Sequence, residues 1–307
     1  MFEAFAIGPF LIWTHAVFLI LGVLLSTEFF LRLAQSANLS LMHFRTQGFW
    51  YVTAFLLSGR LAAIVADYRV YIRDPLRVFI VWDGGFSLLG GAIGVGCVLY
   101  SFTRASRATF LQWLDVLFPA TMFALAFDWF GRFAAGKAYG KPTDVIWGVT
   151  YDAMNVRYTV PIHPVQLYYA CIFLLLTFVL LIVRKASKRA GAETLVGIIL
   201  ASVSVFFLEW FRGDFGIPVF ATRLDFLVLL LLFISLGIFV ALELRLGRVG
   251  FFVYSGIVAC ACIGYLLLRS TFAFDTFELR FSQFLAVLAL LGTIVYVVAH
   301  RRKYPYL

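Results

Sequence analysis

The residues able to do chemistry lie in a few short stretches of an otherwise apolar chain. His163-Pro164-Val165-Gln166-Leu167-Tyr168 brings together an imidazole, an amide and a phenol. Glu209-Trp210-Phe211-Arg212-Gly213-Asp214 sets Glu209 and Arg212 three apart, on one face if the helix continues through them. Arg132 and Lys137 follow another apolar run, Arg60 stands alone within one, and Gln283 enters the last. Asp83-Gly84-Gly85 leads into a glycine-rich run. His163 has the side chain of a general base or a phosphate ligand. It equally suits a loop histidine hydrogen-bonded between Pro161 and Pro164. Glu209 and Arg212 form either an internal ion pair or a carboxylate holding an arginine for a phosphate. Arg60 reads as a buried structural pair or a lipid contact. Asp83, Gly84 and Gly85 read as a turn, which these residues favour for backbone reasons, or as part of a lipid-facing site. An arginine meets phosphate with a planar fork and a lysine with a point charge. Gly140-Lys141-Pro142-Thr143 lacks the glycine spacing of a nucleotide-binding P-loop. No metal or cofactor is expected: Cys97, Cys171, Cys260 and Cys262 sit inside apolar runs without zinc-like spacing.

The elements that position these residues must live in lipid. Apolar residues make up 63% of the 307 positions and charged ones 13%, where a soluble domain keeps about a quarter of its residues charged. The expected fold is all-α, a polytopic membrane bundle of about seven to nine transmembrane helices forming a single membrane domain over residues 1–307. About twenty apolar residues cross the hydrocarbon. Candidate spans run near 10–31, 48–66, 88–102, 110–130, 165–183, 194–211, 224–244, 250–268 and 281–299. The third is short, and its glycines at 90, 91 and 94 permit close helix packing. The net charge of +9 is spread between apolar runs, unlike the basic patch of a nucleic-acid binder, so no nucleic acid partner is expected. Arg104 and Arg107, the run from Arg184 to Arg189, Arg245 and Arg248, and Arg301 to Lys303 all fall on one side. The positive-inside rule makes that side cytoplasmic, with the N-terminus outside and the C-terminus inside. Two longer segments, 67–87 and 131–164, then lie outside and mix glycine with charge of both signs. Polar residues at membrane depth are costly and mark function, so the site is expected there.

Three blocks carry a resemblance. Val81 to Gly94, reading Trp82-Asp83-Gly84-Gly85 and then Gly90-Gly91 and Gly94, resembles a signature of the bacterial prolipoprotein diacylglyceryl transferases, as do His163 to Tyr168 and Glu209 to Asp214. Weaker echoes are Gly8-Pro9, Ser58-Gly59-Arg60-Leu61, the stretch Gly136 to Thr143, and Gln283. All run in the family's order. The resemblance implies transfer of the diacylglyceryl group of phosphatidylglycerol to the lipobox cysteine of a prolipoprotein, with glycerol phosphate released. It implies a catalytic set of His163, Arg212, Glu209 and Arg132. The substrate-binding set would be Asp83, Gly84, Gly85, Arg60, Lys137, Gln166, Tyr168 and Gln283. The partners would be phosphatidylglycerol or another anionic phospholipid and a lipobox prolipoprotein, in the bacterial cytoplasmic membrane. Residues 224–275 look like a helix pair added to the family body.

Departures from the family pattern strike its polar groups. Leu89 stands where the first block has a histidine, Trp129 and Arg132 where an arginine and an asparagine are expected, and Lys137 where an acid is. Tyr169 replaces a glutamate, Val205 an arginine, and His15 the tyrosine of the first helix. Two readings stay open at this stage: a transferase with rewired polar groups, and a relative that binds anionic lipid or precursor without turnover.

Overall fold

The computed structural model describes residues 4–7, 10–66, 68–79, 86–104, 107–151, 156–187, 189–214, 218–222, 228, 230–232, 234–236, 238, 248–269 and 276–303. Six of its helices are long and apolar enough to cross a membrane, and two shorter apolar helices accompany them. A helix bonds its amides internally, which is the condition for crossing hydrocarbon. The protein is a multi-pass membrane protein built as an all-α bundle. Asp83, Gly84 and Gly85 lie outside the described residues, as does most of the candidate span at 224–244.

The chain divides into two compact units. The first comprises residues 1–23, 122–183 and 195–307; the second comprises 24–121 and 184–194. The long helices α1 (Thr14–Ser36), α5 (Arg107–Ala134) and α7 (Ala192–Leu208) contribute to both.

In the second unit, α2 (Met42–Ala66) is followed by the short α3 (Tyr68–Arg73), a 3-10 turn at Pro75–Phe79 and α4 (Leu88–Thr103). Ser87 caps α4, accepting from the Gly90 amide, while its own amide donates to the Gly59 carbonyl at 3.0 Å. The glycines of α4 face α2. A side chain at Gly91 would stand 2.6 Å from the Phe55 ring, and one at Gly90 would stand 2.8 Å from the Ser58 carbonyl. The close packing expected of this run is therefore present. Arg60 donates from Nη2 to the Arg77 carbonyl at 2.7 Å and lies over the Tyr71 ring, which fastens α2 to the turn after α3. At the other end of this unit Asp115 accepts from the amides of Gly191 and Thr194 and from the Thr194 hydroxyl.

In the first unit, α6 (Val165–Ala186) joins the N-terminal part of α1 and the C-terminal part of α5. Also here are α8 (Arg248–Arg269) and α9 (Phe281–Lys303). Two antiparallel ribbons, which the apolar pattern does not announce, frame the helix ends. β1 (Ala4–Ile7) pairs with β2 (Phe10–Trp13), so the first span begins at residue 14 rather than 10. β3 (Pro218–Thr222) pairs with β4 (Thr276–Arg280) from Pro218↔Arg280 to Thr222↔Thr276. The segment between α5 and α6 is irregular but has its own core of Tyr139, Tyr151, Val156 and Ile162. Cys97, Cys171 and Cys260 sit on exposed helix faces, and all four cysteines are free.

Candidate functional site

The first unit brings two of the sequence blocks, His163 to Tyr168 and Glu209 to Asp214, to the stretch around Gly140. α5 ends in a Schellman turn: the Lys137 amide donates to the Arg132 carbonyl at 2.9 Å and the Gly136 amide to the Phe133 carbonyl at 3.2 Å. Gly136 takes φ +68°, a left-handed conformation that suits glycine. Ala138 follows at φ 55°, a conformation that costs a residue with a Cβ roughly 1 kcal/mol or more. The reversed chain then runs between two others. The Lys141 amide donates to the Phe211 carbonyl at 2.8 Å, the Gly213 amide to the Tyr139 carbonyl at 2.9 Å and the His163 amide to the Lys141 carbonyl at 3.0 Å.

These three backbones approach too closely for side chains. A Cβ at Gly140 would stand 2.8 Å from His163 Cβ and from Val165 Cγ2 and press on the His163 carbonyl. A Cβ at Gly213 would stand 2.6 Å from the Gly140 carbonyl carbon and 2.9 Å from the Lys141 amide. Gln166, fully buried, reinforces the crossing by donating from Nε2 to the Lys137 carbonyl at 2.8 Å.

One side of this crossing is an ionic cluster. α7 stops at Leu208, and Glu209–Phe211 form a 3-10 turn, so Arg212 follows the helix in extended backbone. The pair expected from the helical spacing still forms. Arg212 Nη1 donates to Glu209 Oε1 at 2.7 Å, and its Nε and Nη2 grip Asp214 as a fork. Burial by itself would lower the basicity of Arg212, but Asp214 and Glu209 outweigh that and raise its pKa. Arg280, carried in by β4, donates to Asp214 Oδ1 at 3.1 Å and to the carbonyls of Arg212 and Asp214 at 2.9 Å. Gln283 holds the same corner, accepting from the Arg280 amide at 3.1 Å and donating to the Phe206 carbonyl. Tyr169 donates to Glu209 Oε1 at 2.9 Å. Two guanidinium groups thus balance two carboxylates.

A second polar cluster bridges α1 and α5. His15 Nε2 lies 2.8 Å from Asp128 Oδ1, and Arg132 Nε donates to Asp128 Oδ2 at 2.8 Å. Glycines allow it. A side chain at Gly131 would stand 2.8 Å from Phe18 Cβ and 2.9 Å from His15 Cδ2, and one at Gly22 would stand 2.7 Å from Phe127 Cβ. Trp129 lies between the clusters, stacked on Tyr169 with centroids 4.0 Å apart and planes 10° apart. The guanidinium carbon of Arg132 is 4.9 Å from the Trp129 centroid and that of Arg212 is 5.9 Å away. Two departures from the family pattern, Trp129 and Tyr169, are therefore partners of one another, and both arginines lie over the Trp129 ring as cation–π contacts.

His163 sits at the edge of this arrangement. Its Nδ1 is 3.3 Å from the Tyr168 hydroxyl, which accepts from Trp147 Nε1 at 2.7 Å, and its ring meets that of Phe211. Burial lowers its pKa. Lys137 is exposed, with Nζ 5.6 Å from the Trp13 centroid. The structure therefore brings Arg132, Lys137, His163, Gln166, Tyr168, Glu209, Arg212 and Gln283 into one unit, and describes Arg60 within the other. Sequence reasoning missed Asp128 and Arg280. Asp128 carried a signal, a lone acid four residues before Arg132 in an apolar run. Arg280 had only its place just before Gln283, since its partners lie more than sixty residues away.

Residues 3–254 match the sequence model of the family described as prolipoprotein diacylglyceryl transferase. Among curated proteins, a phosphatidylglycerol–prolipoprotein diacylglyceryl transferase of Pseudoalteromonas atlantica is 31% identical over 166 residues, 53% of this chain and 58% of that protein. Its namesake from Polynucleobacter necessarius is 36% identical over 38% of this chain and 44% of its own length. The one from Bordetella parapertussis is 29% identical over 82% of this chain and 94% of its own. The chain thus spans about half the length of the first two relatives and nearly all of the third.

Proposed function

The chain belongs to the prolipoprotein diacylglyceryl transferase family, and on that premise we propose that it transfers the diacylglyceryl group of phosphatidylglycerol to the thiol of a lipobox cysteine, releasing glycerol phosphate. The observation that carries this reading is the crossing at Gly140, where the stretch Gly136 to Thr143 meets the blocks His163 to Tyr168 and Glu209 to Asp214, beside a polar cluster whose Arg132 keeps donors unengaged among the described residues.

Those donors belong to Arg132 and Lys137. Arg212 commits its Nε and both terminal nitrogens to carboxylates, so its role is to hold the crossing in shape. Arg132 uses only Nε, and its two terminal nitrogens make no hydrogen bond among the described residues. It presents them as a fork suited to a phosphate, with the Lys137 ammonium on the same helix end as a second cation. Charge that builds on the departing phosphate is stabilised by such prepositioned donors. His163 and Tyr168 line the edge of the crossing, where the polar part of the lipid or the peptide backbone would lie. The reading places this end of the bundle at the outer face of a bacterial cytoplasmic membrane, with the C-terminus in the cytoplasm, because the basic loops fall at the other end. It treats residues 224–275 as a helix pair added to the family body, α8 being the described member.

The test is a transfer assay with the purified protein in phosphatidylglycerol-containing nanodiscs and a synthetic lipobox peptide. The expected product is the peptide heavier by one diacylglyceryl group, lost when Arg132 is changed to Ala. No product beside an active relative, with anionic lipid still bound, would instead identify a binding protein.

A further inference from the structure

The transfer reaction needs a base, because the thiolate and not the thiol is the nucleophile. The position where the family's first block has a histidine is Leu89 in this chain, and a hydrocarbon side chain moves no proton. We propose that His15, held by Asp128, is the base that takes the proton of the acceptor thiol. The inference rests on the transfer reading above.

The geometry has the parts such a base requires. His15 is the second residue of α1, so it stands where the helix enters its span, and its side chain is 23% exposed. Asp128 is 10% exposed and has both oxygens engaged, one by His15 Nε2 and the other by Arg132 Nε, each at 2.8 Å. A carboxylate fixed at both oxygens cannot rotate, so it selects the tautomer in which Nε2–H points at it. The lone pair is then on Nδ1, which makes no hydrogen bond among the described residues. A histidine oriented by a carboxylate is the arrangement that enzymes use to draw a proton from a weak nucleophile. The close approach of α1 and α5 at Gly22 and Gly131 holds the ring within a narrow range of positions. Among the described residues the charged groups at His15 are Asp128 and, through it, Arg132 from α5, and Lys137 lies near Trp13, two residues before His15.

The neighbouring cation completes the pair. Arg132 shares Asp128 with His15 and carries the two terminal nitrogens, unengaged among the described residues, that are assigned to the lipid phosphate, so the proton acceptor and the phosphate site are joined by one carboxylate. His163 lacks these features: its ring nitrogen meets a phenol, and burial lowers its basicity. In the proposed step the thiol proton passes to His15 Nδ1. The sulfur forms a bond to the glyceryl carbon that bears the phosphate ester, and that carbon–oxygen bond breaks with its electron pair left on the phosphate oxygen. The products are a thioether and glycerol phosphate, which takes up the proton from the imidazolium directly or through solvent.

The experiment uses the full chain in phosphatidylglycerol nanodiscs with a lipobox peptide, followed by mass. His15→Gln keeps a donor for Asp128 but cannot take the proton, and it is expected to slow transfer by about 100-fold or more, the usual span of general-base catalysis. His15→Ala with added imidazole should recover part of the rate, and so should raising the pH toward that at which the thiol ionises unaided, about 8.5. A purely structural histidine would give neither recovery. Asp128→Asn, acting on a positioning residue, should lower the rate and leave it unresponsive to imidazole. Transfer by His15→Gln within threefold of the unaltered protein would overturn the proposal while leaving the transfer reading intact. Absence of transfer by the unaltered protein would overturn both.

Discussion

The two polar clusters that flank Trp129 handle charge in opposite ways. Around Arg212 the guanidinium is fully engaged with Glu209 and Asp214, and Arg280 adds bonds to Asp214 and two backbone carbonyls, while Glu209 Oε2, 3.8 Å from Arg280 Nε, is buried without a hydrogen bond among the described residues. Around Asp128 the carboxylate is saturated, yet its partners His15 and Arg132 keep Nδ1 and two guanidinium nitrogens unengaged among the described residues. The Arg212 guanidinium balances its carboxylates and has no nitrogen left for a substrate, so this cluster serves as a clasp for the backbone. The open cluster has donors and a lone pair to offer. Substitution should therefore divide by location, with stability lost around Arg212 and rate lost around Asp128.

The largest effect should come from opening the clasp. Arg280→Ala removes the donor of two backbone carbonyls and one partner of Asp214, which keeps its fork from Arg212, and each buried group left unsatisfied costs about 1–3 kcal/mol. Thermal unfolding in detergent should show a large fall in Tm; a variant that unfolds with the unaltered protein would make the cluster ornamental. Gly213→Ala should follow, since its methyl group meets the backbone of Gly140 and Lys141 and overpacking costs about 1–3 kcal/mol. A functional assay checks the third case. Arg132→Lys keeps the charge and loses the fork, so transfer should drop by about tenfold with Tm unchanged, whereas a fall in Tm of the Arg280→Ala kind would erase the distinction between the clusters. Tyr169→Phe removes one hydrogen bond to Glu209 and keeps the stack on Trp129, an expected loss of about 1 kcal/mol. The smallest effect concerns His163. Its pKa is lowered from 6.5 by burial, so the unfolded chain binds its proton first, and the stability from its neutral form is complete above pH 6.5 and lost as pH falls below it. His163→Gln should flatten that acid limb of a stability–pH curve and leave the neutral region unchanged.

Much of this protein is legible along the chain. The spans follow from runs of apolar residues, because a membrane helix satisfies its backbone within the segment and needs no distant partner. The glycines of α4 can be read as a packing face from their spacing, and α4 does pack on α2 through them. The order of the blocks shows the family. The ribbons are less legible: β1 and β2 are apolar stretches that continue into a span, and β4 pairs with a strand more than fifty residues earlier.

The sequence by itself determined the lipid-embedded helical class and the Glu209–Arg212 pair, because each depends on residues within a few turns of one another, and the family, because the order of short blocks is itself a property of the chain. Only the tertiary structure decided which polar groups are spent and which remain free. Asp128 meets His15 across 113 positions and Asp214 meets Arg280 across 66. Hydrogen bonds act over about 3 Å, so such partners are set by how helices and ribbons pack, not by spacing along the chain. The same holds for Trp129 and Tyr169, which look like two independent losses in the sequence and form one stacked pair in the fold.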